Sequence, residues 1–266
     1  MPTTESKPLS NSGRPAPDQL PFVAPCRDLE IAAPLRWVKA GWRDLRRAPA
    51  QSLSYGVAVL AASYGASLVA WRLGGMMLLF GVASGFLFIA PLLAIGVYEI
   101  SRQLERGEVP TLARGLMATR RNMGNELVYA LVMLVVFLIW ARAATLMSVF
   151  LPEGATPGWR DLATYLGIGS AVGSVFAALT FSASAFSLPM IADRQTDAVT
   201  AVVTSINAVL RNKFAMLVWA TIILGCLLVG FLTAFLGLVV LIPLLGHATY
   251  HSYRDTIDAS VWPRAD

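Results

Sequence analysis

Five apolar runs constrain this chain more than any other feature: Gln51 to Trp71, Gly74 to Tyr98, Gly124 to Phe150, Leu162 to Ile191 and Phe214 to Tyr250. About 20 apolar residues in a helix cross the roughly 30 Å hydrocarbon layer of a bilayer, so each of the first four reads as one span. The fifth is 37 residues long, too long for one ordinary span and sufficient for two short ones. None shows the alternation of a membrane barrel, and a helix satisfies its own backbone hydrogen bonds in lipid, so the fold class is an all-α membrane protein. The composition agrees: 56% of the 266 residues are hydrophobic and 14% charged, outside the usual soluble range.

Basic residues set the orientation. Arg36, Lys39, Arg43, Arg46 and Arg47 precede the first run, Arg102, Arg106, Arg114, Arg120 and Arg121 follow the second, and Arg194, Arg211 and Lys213 follow the fourth. Of the 21 Lys and Arg residues, Arg72, Arg142 and Arg160 alone fall on the other side. The positive-inside bias therefore predicts a cytoplasmic N-terminus and cytoplasmic segments at 99–123 and 192–213. The net charge of +5 is a topology signal. These residues flank spans instead of building a binding domain, so anionic lipid is the expected partner and nucleic acid is not. The polar, proline-rich start, MPTTESKPLSNSGRPAPDQLPF, lacks the apolar core of a secretory signal, and residues 1–30 read as a disordered cytoplasmic tail. Cys26 lies at the tail and Cys226 within a run, which argues against pairing them.

A motif repeats along the chain. In "PLLAIGVYEISR" (91–102) and "PLLGHATYHSYR" (243–254) a Tyr and an Arg follow the Pro at the same spacing, and Leu188-Pro189-Met190 supplies a third proline in the last part of a run. Each proline lies downstream of a basic entry: Arg46-Arg47, Arg120-Arg121 and Arg211-Asn212-Lys213. An amphipathic segment precedes each entry. The first has the stripe Leu35, Val38, Trp42 and Leu45, and the third has Val199, Val202, Val203, Ile206, Val209 and Leu210. The middle one, Pro110 to Arg121, is shorter and less regular, with Pro110 suited to a helix start.

The predicted unit is thus an interfacial helix, a span, a turn and a second span with a proline. If the fifth run were one span, Tyr250 and Arg254 would lie outside while their matches Tyr98 and Arg102 lie inside. Two spans there restore agreement and give six transmembrane helices in three parallel hairpin repeats. The repeats cover about 31–108, 109–195 and 196–256 within a membrane domain at 31–256, followed by a C-terminal tail at 257–266, with both termini cytoplasmic.

Pro91, Pro189 and Pro243 are expected to act as helix kinks, each freeing the carbonyl four residues back: Leu87, Ala185 and Val239. Tyr98 and Tyr250 are expected in the interfacial belt. Arg43, Arg47, Arg102, Arg121, Arg211 and Arg254 are assigned to headgroup contacts. The alternative to this structural reading is that the three kinks surround a shared cavity lined by the freed carbonyls.

Several stretches carry a resemblance: Trp42-Arg43-Asp44-Leu45, Gly96-Val97-Tyr98-Glu99, Leu104-Glu105-Arg106-Gly107-Glu108, Ser187-Leu188-Pro189, Asp197-Ala198-Val199-Thr200-Ala201 and Pro243 through Thr249. Over roughly residues 30 to 256 the chain resembles the bacterial integral membrane family called domain of unknown function 2189. The resemblance implies a multi-pass protein of the bacterial inner membrane, and some members carry a cytochrome c oxidase label. No catalytic residues come with it.

The residues speak against that chemistry. A haem–copper oxidase subunit needs several intramembrane histidines, and this chain has two, His247 and His251. They lie four apart on one helix face, and Glu99 aligns with His251 in the repeat. His247, His251 and Glu99 are the residues a metal ion would need, but two interfacial histidines with ordinary hydrogen bonds are the simpler reading, and neither metal nor cofactor is assigned. The apolar runs hold little charge to couple or select an ion, Arg142 being the clear case, and the units share one orientation, unlike inverted transporter repeats. Gly81-x-x-x-Gly85 and Gly169-x-x-x-Gly173 read as helix-packing surfaces. The expectation is a non-enzymatic scaffold or accessory factor contacting lipid and partner membrane proteins, a respiratory oxidase among the candidates. The alternative is a passive transporter or channel for a small neutral or lipid-like molecule.

Overall fold

The computed structural model describes residues 21–147 and 158–265, with side chains for all of these except 76, 77, 80, 81, 83, 84, 86–90, 115–123, 147, 161 and 162. The described residues form α-helices and contain no strand. In chain order these are α1 (Ala33–Arg47), α2 (Pro49–Leu93), α3 (Ile95–Glu105), α4 (Leu112–Met147), α5 (Trp159–Ser184), α6 (Ser187–Asp193), α7 (Ala198–Arg211), α8 (Lys213–Leu232) and α9 (Leu238–Thr256). Four stretches are long and apolar enough to cross a membrane: Pro49–Gly75, Gly124–Leu146, Ala163–Asp193 and Lys213–Leu232. The expected second span begins after Gly75, where φ of 61° breaks α2 into two arms; most of the side chains at 76–90 lie outside the described residues. The expected sixth span falls in α9, whose last turns carry His247, His251, Arg254 and Asp255 and so end its apolar stretch early.

The proline units differ in how they bend. Beyond Pro91 the helix breaks at Ala94, and the Tyr55 hydroxyl donates to the Leu93 carbonyl there. The ring of Tyr55 lies where Gly96 has no side chain: a Cβ on Gly96 would sit 2.5 Å from it. Before Pro189 the chain breaks at Ala185 and Phe186, so the proline falls in the first turn of α6, where its missing N–H is no loss. Ser205 of α7 stitches that break, accepting from Phe186 N–H at 3.0 Å and donating to the Ser182 carbonyl at 2.7 Å. α9 continues through Pro243. The Val239 carbonyl, freed by that proline, faces α2 at Gly56, where a Cβ would lie 2.1 Å from the oxygen.

The middle unit has no separate interfacial helix. α4 runs unbroken from Leu112 to Met147, because nothing between Arg120 and Gly124 stops it, whereas Pro49 and Asn212 mark the corresponding junctions in the other units. In α1 and α7 the bulky stripes are divided, with Leu45 and Val209 buried. Leu35, Trp42, Val199 and Leu210 are exposed, while Trp37, Gly41 and Asp44 of α1 and Thr200, Ala201, Thr204, Ser205 and Ala208 of α7 are buried. Gly41 lets α1 lie against α9, since a Cβ there would be 2.7 Å from Ala248 N. The packing glycines are therefore Gly41, Gly56, Gly96 and Gly246. Among the described residues, Gly85 meets only Phe137 at ordinary contact distance and Gly169 and Gly173 have nothing within 4 Å, and Gly81 lies outside the described side chains.

Both flanking segments fold onto one end of the bundle. Residues 21–30, assigned by sequence to a disordered tail, are pinned: Ala24 N–H donates to Thr204 Oγ1 at 3.0 Å, Arg27 N–H to the Thr256 carbonyl at 2.9 Å and Leu29 N–H to Asn212 Oδ1 at 2.8 Å. Cys26 forms an isolated bridge with Ile257, and Arg194 forms another with Arg264. Ile257, Ala259 and Trp262 are buried in the same cap. Residues 1–20 lie outside the described residues.

Candidate functional site

Beneath that cap a chain of polar side chains runs through the protein. The Ala48 bend places Asp44, in the last turn of α1, and Ser52, in the first turn of α2, on either side of α9; Ala48 N–H donates to the Asp44 carbonyl and Ser52 N–H to the Ala48 carbonyl, both at 3.0 Å. His247 of α9 is fully buried between them. Its Nε2 is 2.9 Å from Ser52 Oγ and its Nδ1 is 2.7 Å from Ser101 Oγ of α3. Ser101 Oγ donates to Asp44 Oδ2 at 3.0 Å, and His251 Nε2 lies 2.7 Å from the same oxygen.

One assignment of protons satisfies every link. Ser52 donates to Nε2, Nδ1–H donates to Ser101, and Ser101 and His251 both donate to the Asp44 carboxylate, which makes His247 neutral. Burial opposes ionisation of Asp44, but the hydrogen bonds from His251 and Ser101 outweigh it and hold its carboxyl below the usual range.

Around this chain the cap is tied by ion pairs. Glu99 and Arg102 meet at 2.6 Å with side chains only 10% and 8% exposed, Gln103 donates to Glu99 at 3.0 Å, and Arg102 also donates to the Ala265 carbonyl. Glu105 accepts from Tyr250 at 2.7 Å and from Arg254 at 2.6 Å; burial raises its carboxyl value, and these two partners more than reverse that. Asp193 accepts from Arg194 at 3.0 Å and Tyr253 at 2.9 Å.

Two sequence assignments change in consequence. Arg102 is an internal ion-pair partner and not a headgroup contact, because the terminal segment and Glu99 enclose it. Arg254 bridges Glu105 and Asp193. Tyr98 and Tyr250 are buried in the bundle instead of lying in an exposed belt. Arg211 pairs with Asp28 at 2.6 Å on the surface. Arg43 and Arg47 are exposed, and the side chain of Arg121 lies outside the described residues. The set His247, His251 and Glu99 is not brought together: Glu99 is engaged by Arg102 and Gln103, and the carboxylate facing the histidines is Asp44. Among the described residues no group of three His, Cys, Asp or Glu side chains is placed to hold a metal.

Sequence reasoning missed Asp44, Ser52 and Ser101, which stand in three different helices of the first unit and meet His247 of the third only in three dimensions. It also passed over Glu126, two residues into an apolar run and only 7% exposed, on one face of α4 with the buried Tyr129 and Met133. A carboxylate that far into an apolar run was the available signal.

A cavity of ≈ 170 Å³ lies next to the polar chain, between the proline-bearing helices. Pro91, Ala185 and Ile242 bring all three units to its wall, with Trp219 of α8 closing one side. Of the carbonyls expected to line it, that of Val239 faces Gly56 instead.

No curated protein and no solved structure matches the chain. Residues 78–193 match the family described as predicted integral membrane protein (DUF2189), the family that the sequence resembles, and the chain is an integral membrane protein with several apolar helices.

Proposed function

We propose that the chain is a non-enzymatic scaffold of the bacterial inner membrane, with six spans in three hairpins and both termini cytoplasmic. The observation that carries this reading is the outer face of α5. Gly169 and Gly173 stand one turn apart with none of the described residues within 4 Å of either Cβ position, an open small-residue surface of the kind membrane helices pack against. The exposed Lys39, Arg43, Arg46 and Arg47 on α1 add contacts to anionic headgroups, beside the exposed Leu35 and Trp42. The polar groups under the cap bond to one another, which favours a structural role over turnover. A passive carrier of a small neutral or lipid-like molecule is the second reading, favoured by the cavity between the proline-bearing helices.

The test is purification in native nanodiscs followed by mass spectrometry of co-purifying proteins and lipids, for the wild type and a Gly169→Leu/Gly173→Leu variant. The scaffold reading expects one membrane protein or complex recovered in fixed ratio with the wild type and lost from the variant at unchanged Tm. Recovery of none, or equal recovery with both, would overturn it.

A further inference from the structure

Among the described residues the wall of the cavity is apolar except for the Trp219 indole N–H and four hydroxyl-bearing residues: Tyr98, Thr180, Ser184 and Thr249. Two of these hydroxyls are already spent on their own helices. Ser184 donates to the Thr180 carbonyl at 2.5 Å, and Thr249 to the Leu245 carbonyl at 2.7 Å. Of the other two, Thr180 stands without a partner. Thr180 is 4% exposed and its Oγ1 has no hydrogen-bond partner, although a helical threonine ordinarily bonds to the carbonyl a turn earlier. Tyr98, 2% exposed, lines the same wall. Behind the wall, the Tyr129 hydroxyl, beside Ser184 and Ser187, is also buried without a partner.

Buried hydroxyls are nearly always bonded, so the unpartnered Thr180 hydroxyl on the wall of this cavity calls for an occupant with an acceptor. A water molecule needs two to four polar partners and would leave most of this volume empty. Among the described residues no charged side chain lines the wall, which argues against an ionic occupant. The volume slightly exceeds that of an apolar protein cavity of about 150 Å³ that holds benzene.

We propose that this cavity is a binding site for a neutral, largely apolar molecule of about six to ten non-hydrogen atoms, whose oxygen accepts hydrogen bonds from Tyr98 and Thr180. Ser184 and Thr249 contribute shape, and Trp219 supplies an aromatic side wall. Trp219 is itself braced by Trp37 of α1, with ring centroids 5.6 Å apart and edge-to-face, so the site is pre-formed by the cap. The site stands whether the chain scaffolds partners or carries the molecule across the bilayer. The same acceptor chemistry is offered by a free aryl or alkyl ketone and by the ester group of a lipid.

The test uses the full chain in nanodiscs and fluorine NMR of 4-fluoroacetophenone, with 4-fluorotoluene as the control that lacks the oxygen. Saturable binding of the ketone above that of empty discs is expected, with the control about tenfold weaker. Thr180→Val and Tyr98→Phe should each weaken the ketone about threefold to tenfold and leave the control unchanged. Thr180→Val keeps the side-chain volume and removes an unpartnered polar atom, so its Tm should not fall. Ala177→Leu, which fills the cavity from α5, should abolish saturable binding. Tighter ketone binding in discs of ether lipids than of ester lipids would support the site with a lipid ester as its resident, and equal binding would support a free small molecule. No saturable binding in either lipid, or binding unaffected by both hydroxyl removals, would overturn the proposal.

Discussion

Ser101 joins His247 to Asp44 through one hydroxyl, 2.7 Å from Nδ1 of the imidazole and 3.0 Å from the carboxylate. Because that hydroxyl has a single proton, the link has a direction, and replacing either neighbour leaves the other with an unmet partner. His247→Ala should strand the Ser52 and Ser101 hydroxyls and cost about 2–4 kcal/mol, while Ser101→Ala should cost about 1–2 kcal/mol. Their double-mutant cycle should return a coupling of about 1 kcal/mol, read from thermal melts in detergent. Additive losses would mean that the hydroxyl bridge contributes nothing.

The Asp44 carboxyl sets the acid limit of the cap. Its folded-state value lies below the ordinary one, so its contribution is complete above the unfolded value of about 3.9 and is lost as pH falls through the folded value. Melting temperature should be level between about pH 7 and 5 and drop below about pH 4. Asp44→Asn should begin lower and fall less steeply. An identical acid limb in that variant would remove Asp44 from the account.

Close helix contacts through glycine predict a sharp contrast. A methyl on Gly41 would meet Ala248 N at 2.7 Å, and one on Gly56 would meet the Val239 carbonyl at 2.1 Å, both backbone atoms that cannot rotate away. Gly41→Ala and Gly56→Ala should each cost about 1–3 kcal/mol. Gly65→Ala, with nothing within 4 Å, should be neutral or stabilising by up to about 1 kcal/mol. Equal effects at all three positions would contradict the packing described for α1, α2 and α9.

The six-span reading is decided by reporter fusions after residues 108, 155, 195 and 260, expected to read inside, outside, inside and inside. An external reading at 260 would remove the last hairpin and the repeat with it.

What was legible in the sequence follows from the solvent. Long apolar runs, the basic entries and the three prolines are one-dimensional signals, and the helices and two of the three predicted breaks appear where those signals stand. The direction each helix faces was not legible. Of the bulky residues on α1 and α7, Leu35, Trp42, Val199 and Leu210 face out and Trp37, Leu45 and Val209 face in, beside small and hydroxyl residues such as Thr204, Ser205 and Ala208. An amphipathic stripe looks the same in either case. Arg102 and Arg254 occupy matched positions in the motif, yet one is enclosed and the other half-open, because the segment that covers Arg102 comes from the far end of the chain.

That cover is made late. Arg27 N–H bonds to the Thr256 carbonyl, and Ala265 N–H to the Asp193 carbonyl, so the cap joins segments separated by almost the whole chain. At synthesis rates of about 5–20 residues per second, Arg27 waits about 10–50 s for its partner. During that interval Arg102 and Asp193 lack the cover that residues 256–265 bring to them. A ribosome stalled before residue 256 would leave both charges open to water.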